Sequence, residues 1–306
     1  MKPNYGKHLL LFALTCATTF LSGSGLGDDF DLYQGLFFSG TLMTILVCHE
    51  MGHYVVARMH GIAASLPYFI PLPPVVSLGT LGAVIQMDEP IEDRNKLVDV
   101  GAAGPLAGLC AAIPLLIYGL SLSTVAVTPP AEGAMLEGNS LLYMGLKYLV
   151  HGQHLPTAEG LDVQLHPMAF ASWVGLLLTM INLLPIGQLD GGHVLCGAIG
   201  EKHERVSGLL HWLLLAVGVL VAAVLTVEYM GEGLGFTDAL LTGGKAGLPW
   251  CVWAGMLLLM RRMAGGTYHP PVGNTPLSPS RKALVVVLFL VLILIFTPIP
   301  LREALP

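Results

Sequence analysis

Residues 38–58, F-S-G-T-L-M-T-I-L-V-C-H-E-M-G-H-Y-V-V-A-R, decide the fold, because the segment is apolar enough to cross a membrane and still carries His49, Glu50 and His53. Residues four apart share one face of a helix, so both imidazoles of H-E-x-x-H can bind one metal ion beside a glutamate that can act as a base. Ionisable residues at membrane depth are costly and generally functional. The segment therefore predicts a membrane helix with a metal site.

The composition of the whole chain supports a membrane location. Of 306 residues, 54% are hydrophobic and only 11% are charged, whereas soluble globular proteins carry about 25% charged residues. The net charge of −6 offers no basic surface for nucleic acid, so no nucleic-acid partner is expected. The five cysteines stand apart without ligand spacing, which favours packing roles over disulfides or metal binding.

Apolar segments of sufficient length recur along the chain, since a membrane-spanning helix needs about 20 mostly apolar residues. They predict an all-α polytopic membrane protein with six to seven transmembrane helices and a short membrane-associated β segment between core helices. The candidate spans are 8–25, 35–58, 97–120, 168–200 (interrupted), 206–228, 248–263 and 283–300. The first follows two lysines like a signal peptide, but residues 22–25 are a weak cleavage site, so a retained helix is favoured.

The distribution of basic residues predicts a cytoplasmic N-terminus. With that orientation, eleven of the 14 basic residues lie at cytoplasmic helix ends, as the positive-inside rule requires. The three on the other side are Lys147, Lys245 and Arg302. The acidic loop 27–31 and the loop 121–167 are then external, and the Pro- and Gly-rich linker 264–280 is cytoplasmic.

A broken helix supplies the third candidate ligand, because a catalytic zinc ion generally takes three protein ligands and a water molecule. Residues 182–193, N-L-L-P-I-G-Q-L-D-G-G-H, contain a proline and three glycines that interrupt the fourth span. Irregular backbone at membrane depth is tolerated where it is buried or lines a wet cavity. Asp190 is unfavourable in lipid but stable when bound to a dication. Measured from the cytoplasmic helix ends, the histidines lie roughly 8–14 Å deep and Asp190 about 15 Å deep.

Several of these residues have an alternative structural role. Asp190 can cap the half-helix that follows the break, and Asn182 can serve in purely structural hydrogen bonds. His193, after the glycine pair, is expected to have a polar role near the site rather than to bind the metal. The small-residue face formed by three glycines within residues 101–108 predicts close helix packing.

The two motifs together resemble those of the site-2 protease family of intramembrane zinc metalloproteases. The matching residues are His49, Glu50 and His53 in H-E-x-x-H, and Asn182, Pro185, Leu189, Asp190 and Gly191 in N-x-x-P-x-x-x-L-D-G. The resemblance covers about residues 35–200, and the compact form without a PDZ insert looks like the subgroup of cyanobacteria and chloroplasts. Many members carry G-P-x-x-N where this chain has G-P-L-A-G at residues 104–108, a departure that bears on a polar contact from that helix but not on the metal site.

The resemblance implies a role for each of these residues. His49, His53 and Asp190 would bind one zinc ion per chain, Glu50 would activate the water, and Asn182 would hydrogen-bond the oxyanion. The implied reaction is hydrolysis of peptide bonds in or near the transmembrane segments of a membrane-protein substrate. One alternative is a catalytically silent member that binds membrane segments as a chaperone or regulator, which the intact Glu50 disfavours. Another is a metal transporter, disfavoured because no second ligand set occurs on other helices.

The segment 81–86, L-G-A-V-I-Q, is predicted to be a strand between two core helices. The edge of a strand cannot face lipid, but it can pair with an extended substrate by strand addition. Gly79 and Gly82 would permit close backbone approach. The alternative is a re-entrant loop that only packs over the helices.

These expectations divide the chain into three parts. Residues 1–34 are predicted to form an N-terminal transmembrane helix and an external loop, residues 35–200 a catalytic core that includes the loop 61–93, and residues 201–306 the C-terminal transmembrane helices. The expected location is a bacterial cytoplasmic membrane, with the lipid bilayer and a membrane-protein substrate as partners.

Overall fold

A computed structural model describes residues 5–25, 30–74, 78–127, 135–157 and 160–304. Within these ranges the helices are α1 (Tyr5–Ser24), α2 (Leu32–Met59), α3 (Arg94–Ser121), α4 (Leu141–His151), α5 (Pro167–Asn182), α6 (Asp190–Ile199), α7 (His203–Gly231), α8 (Phe236–Met263) and α9 (Pro279–Ile295). The strands are β1 (Tyr68–Pro71), β2 (Thr80–Val84), β3 (Thr124–Val127), β4 (Met135–Glu137), β5 (Leu161–Gln164) and β6 (Leu301–Glu303). Lys2 and positions 27–29 of the predicted acidic loop lie outside the described residues.

The core consists of α2, α3, α5 and α6, whose backbones approach closely at glycines. A Cβ atom on Gly52 of α2 would lie 2.5 Å from the Ala103 carbonyl oxygen of α3, and one on Gly119 of α3 would lie 2.5 Å from the Ala169 nitrogen of α5. Small residues permit such contact between apolar helices, where dispersion rather than water exclusion drives packing. This close packing places one face of α2 directly against α3.

Three helical segments are long and apolar enough to cross a membrane, by length and composition: Leu32–Met59, Arg94–Ser121 and the run Asp190–Gly231. The apolar α5 is shorter. The protein is therefore mostly helical with candidate membrane spans, while the count of six to seven spans stays a prediction. The predicted sixth span, 248–263, lies within the longer helix α8, which begins at Phe236.

The predicted break in the fourth span is confirmed. Helix α5 ends at Asn182, α6 begins at Asp190, and the chain between them forms irregular turns. Gly187 adopts a φ of +62°, which favours glycine, and its backbone N–H donates to the Ser207 hydroxyl of α7. The turn is thus supported by α7, and α6 restarts with Asp190 at its first position.

The predicted strand between core helices is confirmed as β2, which pairs antiparallel with β1. The resulting hairpin packs on α1, where the Thr18 hydroxyl donates to the Gly79 carbonyl oxygen at 2.6 Å. The two glycines of this loop differ. A Cβ atom on Gly79 would lie 2.6 Å from the Thr18 backbone, whereas one on Gly82 would meet nothing within 4 Å. Close approach at Gly79 therefore serves the contact with α1, and only Gly82 borders open space.

The segment 121–167, predicted as a loop, contains additional structure. Strand β3 pairs with β5, β4 pairs with β6 near the C-terminus, and α4 packs against α3 and α9. Lys147 of α4 is fully buried, with its Nζ 3.0 Å from an Asp162 carboxylate oxygen and 3.3 Å from one of Glu137. Burial and the nearby Glu137 carboxylate raise the pKa of Tyr143 well above its ordinary value. The sequence reading did not predict these strands, because strands of three or four residues leave little periodic pattern.

The segment between α8 and α9, predicted as a linker, folds back onto the core. Tyr268 and Leu277 are buried in it. The backbone N–H of Ser278 donates to the Asn95 side chain at the start of α3, and the N–H of Gly273 donates to the Glu92 carbonyl oxygen. The segment is therefore docked beside the ends of α3 and α6 rather than extended into solvent.

Candidate metal centre

Helix α2 places His49, Glu50 and His53 in the interior of the protein, where all three side chains are buried. The helical period brings the two imidazoles to one face, and their Nε2 atoms lie 3.3 Å apart. The rings meet edge to face with centroids 5.0 Å apart. The two histidines of H-E-x-x-H are therefore arranged as the sequence predicts.

Asp190 joins this pair from the start of α6. Its Oδ2 atom lies 3.1 Å from His49 Nε2, and its Oδ1 atom lies 3.2 Å from His53 Nε2. The alternative role as a helix cap is not observed, because Leu189 occupies the N-cap position and the Asp190 carboxylate faces the histidines. Donor atoms around a tetrahedral zinc ion at 2.0–2.1 Å are about 3.3 Å apart. The spacing of these donors matches that distance.

The hydrogen on His53 can be located from its partner. The Nδ1 atom lies 2.7 Å from the carbonyl oxygen of Val100, and a carbonyl only accepts, so Nδ1–H is the donor. In the neutral ring Nε2 then carries a lone pair that points at the Asp190 carboxylate. The lone pair on Nε2 and the carboxylate oxygen need a cation between them, either a metal ion or a proton, and the spacing of the three donors fits a metal ion. A backbone carbonyl that orients a histidine in this way is a recurrent feature of metal sites.

The small-residue face of α3 lies directly against these side chains. A Cβ atom on Gly104 would overlap the His53 imidazole, and one on Gly108 would lie 3.1 Å from His49 Nδ1. One on Gly101 would lie 3.0 Å from the His193 Cβ. The close packing predicted from these glycines thus makes room for the side chains of His49 and His53 on α2 and of His193 on α6. The spacing of these glycines at i, i+3 and i+7 predicted a packing face on α3. It did not predict that side chains of α2 would lie against that face.

A cavity of about 170 Å³ opens beside His49, His53 and Asp190, which we call the metal-site cluster. Strand β2 and its extension contribute Ala83, Val84 and Ile85, and α8 contributes Met260. The remaining lining residues are His49, Glu50, His53, Met87, Val100, Asn182, Gln188, Leu189, Asp190 and His193. The metal-site cluster and the edge of the predicted strand therefore face one space.

Asn182 lies at the last position of α5, with its Nδ2 atom 3.4 Å from His49 Nε2. Its amide lies at the cluster and lines the cavity, as the sequence predicts. Sequence reasoning missed three residues that line the cavity, Val100, Gln188 and Met260, because none of them belongs to a recognisable motif. Only the packing of α3, the turn and α8 brings them to the cavity.

A second group of histidines lies next to the first. His193 of α6, His203 of α7 and His269 of the α8–α9 segment form what we call the second histidine cluster. The His193 Nδ1 and His269 Nε2 atoms are 2.7 Å apart, and the His203 and His269 ring centroids are 5.6 Å apart. Across the part of the chain that the structure describes, only His49, His53 and Asp190 present three donor atoms within 4.8 Å of one another. Within the second cluster His193 and His269 are joined by a hydrogen bond, and the His203 ring contacts the His269 ring.

Residues 37–225 match the family described as "Peptidase family M50". The chain is 31% identical over 264 residues to "Probable zinc metalloprotease EGY1, chloroplastic" of Arabidopsis thaliana, an alignment that covers 84% of this chain and 42% of that protein. It is 32% identical over 271 residues to the protein of the same name in Oryza sativa subsp. japonica, covering 86% of this chain and 40% of that protein. A third relative, "Probable zinc metalloprotease EGY2, chloroplastic" of Oryza sativa subsp. indica, is 35% identical over 190 residues, covering 59% and 32%. The chain spans about two-fifths of the length of the first two relatives.

Proposed function

The chain belongs to peptidase family M50, and on that premise we propose that it is a zinc-dependent intramembrane endopeptidase. The observation that carries the proposal is the meeting of His49, His53 and Asp190 beside Glu50, on the wall of a cavity that a strand edge also lines. The names of the relatives, zinc metalloproteases, agree with this chemistry. The family match, residues 37–225, includes both the H-E-x-x-H residues of α2 and Asp190 of α6.

In the proposed mechanism His49, His53 and Asp190 hold one zinc ion. When bound, zinc lowers the pKa of a water molecule and polarises the scissile carbonyl group. Glu50, buried next to the ligands, takes a proton from the attacking water and delivers it to the leaving nitrogen. The Asn182 amide donates a hydrogen bond to the carbonyl oxygen as negative charge develops there.

The substrate of this proposal is an extended segment of a membrane protein. A helical peptide bond is shielded and hydrogen-bonded, so a transmembrane segment must unwind before it is cut. Within the described residues β2 pairs with β1 alone, and its residues Ala83 and Val84 line the cavity. Strand addition to β2 would hold the unwound segment beside the metal, and Gly82 leaves open space there.

The proposed setting is a lipid bilayer, with the N-terminus cytoplasmic and residues 35–200 as the catalytic core. The three candidate spans support an integral membrane protein. A bacterial cytoplasmic membrane is the compartment we propose from the sequence, and the relatives named above are chloroplastic proteins.

The proposal is tested by proteolysis of a tagged single-span substrate in liposomes, with wild-type protein and Glu50→Gln. The variant keeps all three metal ligands, so it should retain about one zinc per chain while the cleavage rate falls at least about 10²-fold, the loss typical of a missing general base. Equal cleavage by both proteins would remove Glu50 from the mechanism. A wild type that binds zinc and never cleaves would favour the catalytically silent alternative.

A further inference from the structure

His193 has a partner in a part of the chain that the metal centre does not use. Its Nδ1 atom lies 2.7 Å from Nε2 of His269, which belongs to the segment between α8 and α9. His269 lies outside residues 37–225, which match the family. The mechanism described above assigns no role to either imidazole, although His193 lines the cavity.

The hydrogen positions in this pair follow from a backbone carbonyl. The Nδ1 atom of His269 lies 2.7 Å from the carbonyl oxygen of Pro270, so Nδ1–H donates to it. Burial lowers the pKa of His269 below its ordinary value, which favours the neutral ring. The Nε2 atom of a neutral His269 is then an acceptor, and Nδ1–H of His193 must be the donor. A neutral His193 is thereby left with a lone pair on Nε2, the ring nitrogen that does not face His269.

The surrounding structure holds both rings in place. On one side Gly101 of α3 leaves room for the His193 side chain, since a Cβ atom there would lie 3.0 Å from the His193 Cβ. On the other side the backbone N–H of Tyr268 donates to the Glu204 carboxylate at 2.8 Å, and the Arg261 guanidinium lies 4.5 Å from the centre of the Tyr268 ring. These contacts anchor the chain immediately before His269.

An extended peptide in the cavity needs partners on both of its edges. Pairing with β2 satisfies the N–H and C=O groups on one edge only, because these groups point alternately to the two sides of a strand. Backbone donors left without a partner in a buried site cost free energy. His193 lines the same cavity from α6, and its Nε2 lone pair is the acceptor that the ring can offer.

We propose that His193 accepts a hydrogen bond from a backbone N–H of the extended substrate, and that His269 is a positioning residue that sets the His193 tautomer for this contact. This inference rests on the proposed function. The α8–α9 segment thereby becomes part of the substrate site, since it supplies the acceptor that keeps the hydrogen on His193 Nδ1. Neither histidine binds the metal in this scheme.

The test compares His269→Leu, which removes the acceptor, with His269→Gln, whose amide oxygen can replace it. Both zinc-loaded variants and wild type are assayed for zinc content, kcat and KM in liposomes with the tagged single-span substrate. His269→Leu should keep its zinc and raise KM about two- to tenfold, the range for one lost neutral hydrogen bond. His269→Gln should restore KM to within about twofold of wild type. Cys196→Ala is the matched control, because it removes a contact of His269 at Nδ1, 3.4 Å from the Cys196 sulfur, and keeps the Nε2 atom that faces His193.

A second measurement does not depend on cleavage. Imidazole ¹⁵N spectra of the zinc-loaded protein in micelles, with His193 assigned by substitution, should show the Nδ1–H tautomer in wild type and a shift toward Nε2–H in His269→Leu. An Nε2–H tautomer in wild type would overturn the inference, as would an unchanged KM in His269→Leu. Loss of zinc in both His269 variants would overturn it too, because the pair would then support the metal centre. If wild type shows the expected tautomer and does not cleave, the proposed function fails and the tautomer assignment stands.

Discussion

The metal-site cluster and the second histidine cluster are neighbours, with His193 lining the same cavity as the metal-site residues, but they use imidazole in opposite ways. His53 donates its Nδ1 hydrogen to the Val100 carbonyl, and its other nitrogen faces the Asp190 carboxylate. His269 donates its Nδ1 hydrogen to the Pro270 carbonyl, and its other nitrogen faces the Nδ1 atom of His193. The lone pair on His53 Nε2 thus faces another acceptor and needs a cation between them. The lone pair on His269 Nε2 instead faces an N–H donor on His193. The group facing the second nitrogen, and not the residue type, separates a metal ligand from a hydrogen-bonded histidine.

The largest effect on this comparison is expected from Asp190→Ala. The substitution removes the carboxylate that both His49 and His53 face, at 3.1 and 3.2 Å. Zinc affinity should fall by more than the roughly 10–100-fold that follows loss of an outer hydrogen bond to a ligand. The measurement is zinc content after dialysis against a graded chelator series. Undiminished occupancy would remove Asp190 from the ligand set and with it the distinction between the two clusters.

A smaller effect is expected from Gly104→Ala, which changes no donor atom. The added methyl group would overlap the His53 imidazole, so either the ring or α3 must shift and the bond from His53 to the Val100 carbonyl is disturbed. We expect zinc affinity to fall about 10–100-fold, as when the partner of a ligand histidine is lost. Gly40→Ala is the matched control, because a Cβ atom on Gly40 of α2 would meet nothing within 4 Å. Equal zinc affinity in both variants would show that α3 does not hold His53 in place.

The smallest effect on the metal is expected from His193→Leu. This residue lies three positions after Asp190, but its Nδ1 atom bonds His269, so zinc content should equal that of wild type. KM should rise about two- to tenfold through the lost contact with substrate. Zinc content and KM are measured on the same preparation, with His53→Leu as the contrasting variant that should lose zinc. A marked loss of zinc in His193→Leu would place it with the metal-site cluster and end the comparison.

The metal-site residues were accessible to sequence reasoning because local geometry controls them. The spacing of His49 and His53 equals one helical turn, so any helix at that position brings the rings together. The proline and glycines after Asn182 predict a broken helix wherever the chain lies. Asp190 was identified through the cost of a carboxylate in an apolar span, and the structure brings it within 3.2 Å of both rings. The short hairpin strand β2 was predicted from a local run of β-forming residues.

Other features depend on contacts between distant parts of the chain. The segment 264–280 is rich in proline and glycine and was predicted as a linker, yet it brings His269 to within 2.7 Å of His193, which lines the cavity. Strand β6 pairs with β4, which lies more than 160 residues earlier in the sequence. Gly79 was assigned to substrate approach and instead contacts α1. No local pattern specifies such partners, because each one is selected by packing.

By itself the sequence determined which side chains could bind a metal, that they lie in apolar helices and that a strand lies between those helices. Helical period, the backbone limits of proline and glycine, and the cost of charge in lipid are local properties that each residue carries with it. Only the tertiary structure decided which backbone carbonyl each imidazole meets, that Gly104 faces His53, and that His269 faces His193. These depend on the relative placement of α2, α3, α6 and the α8–α9 segment. That placement follows from packing the whole chain at close contact.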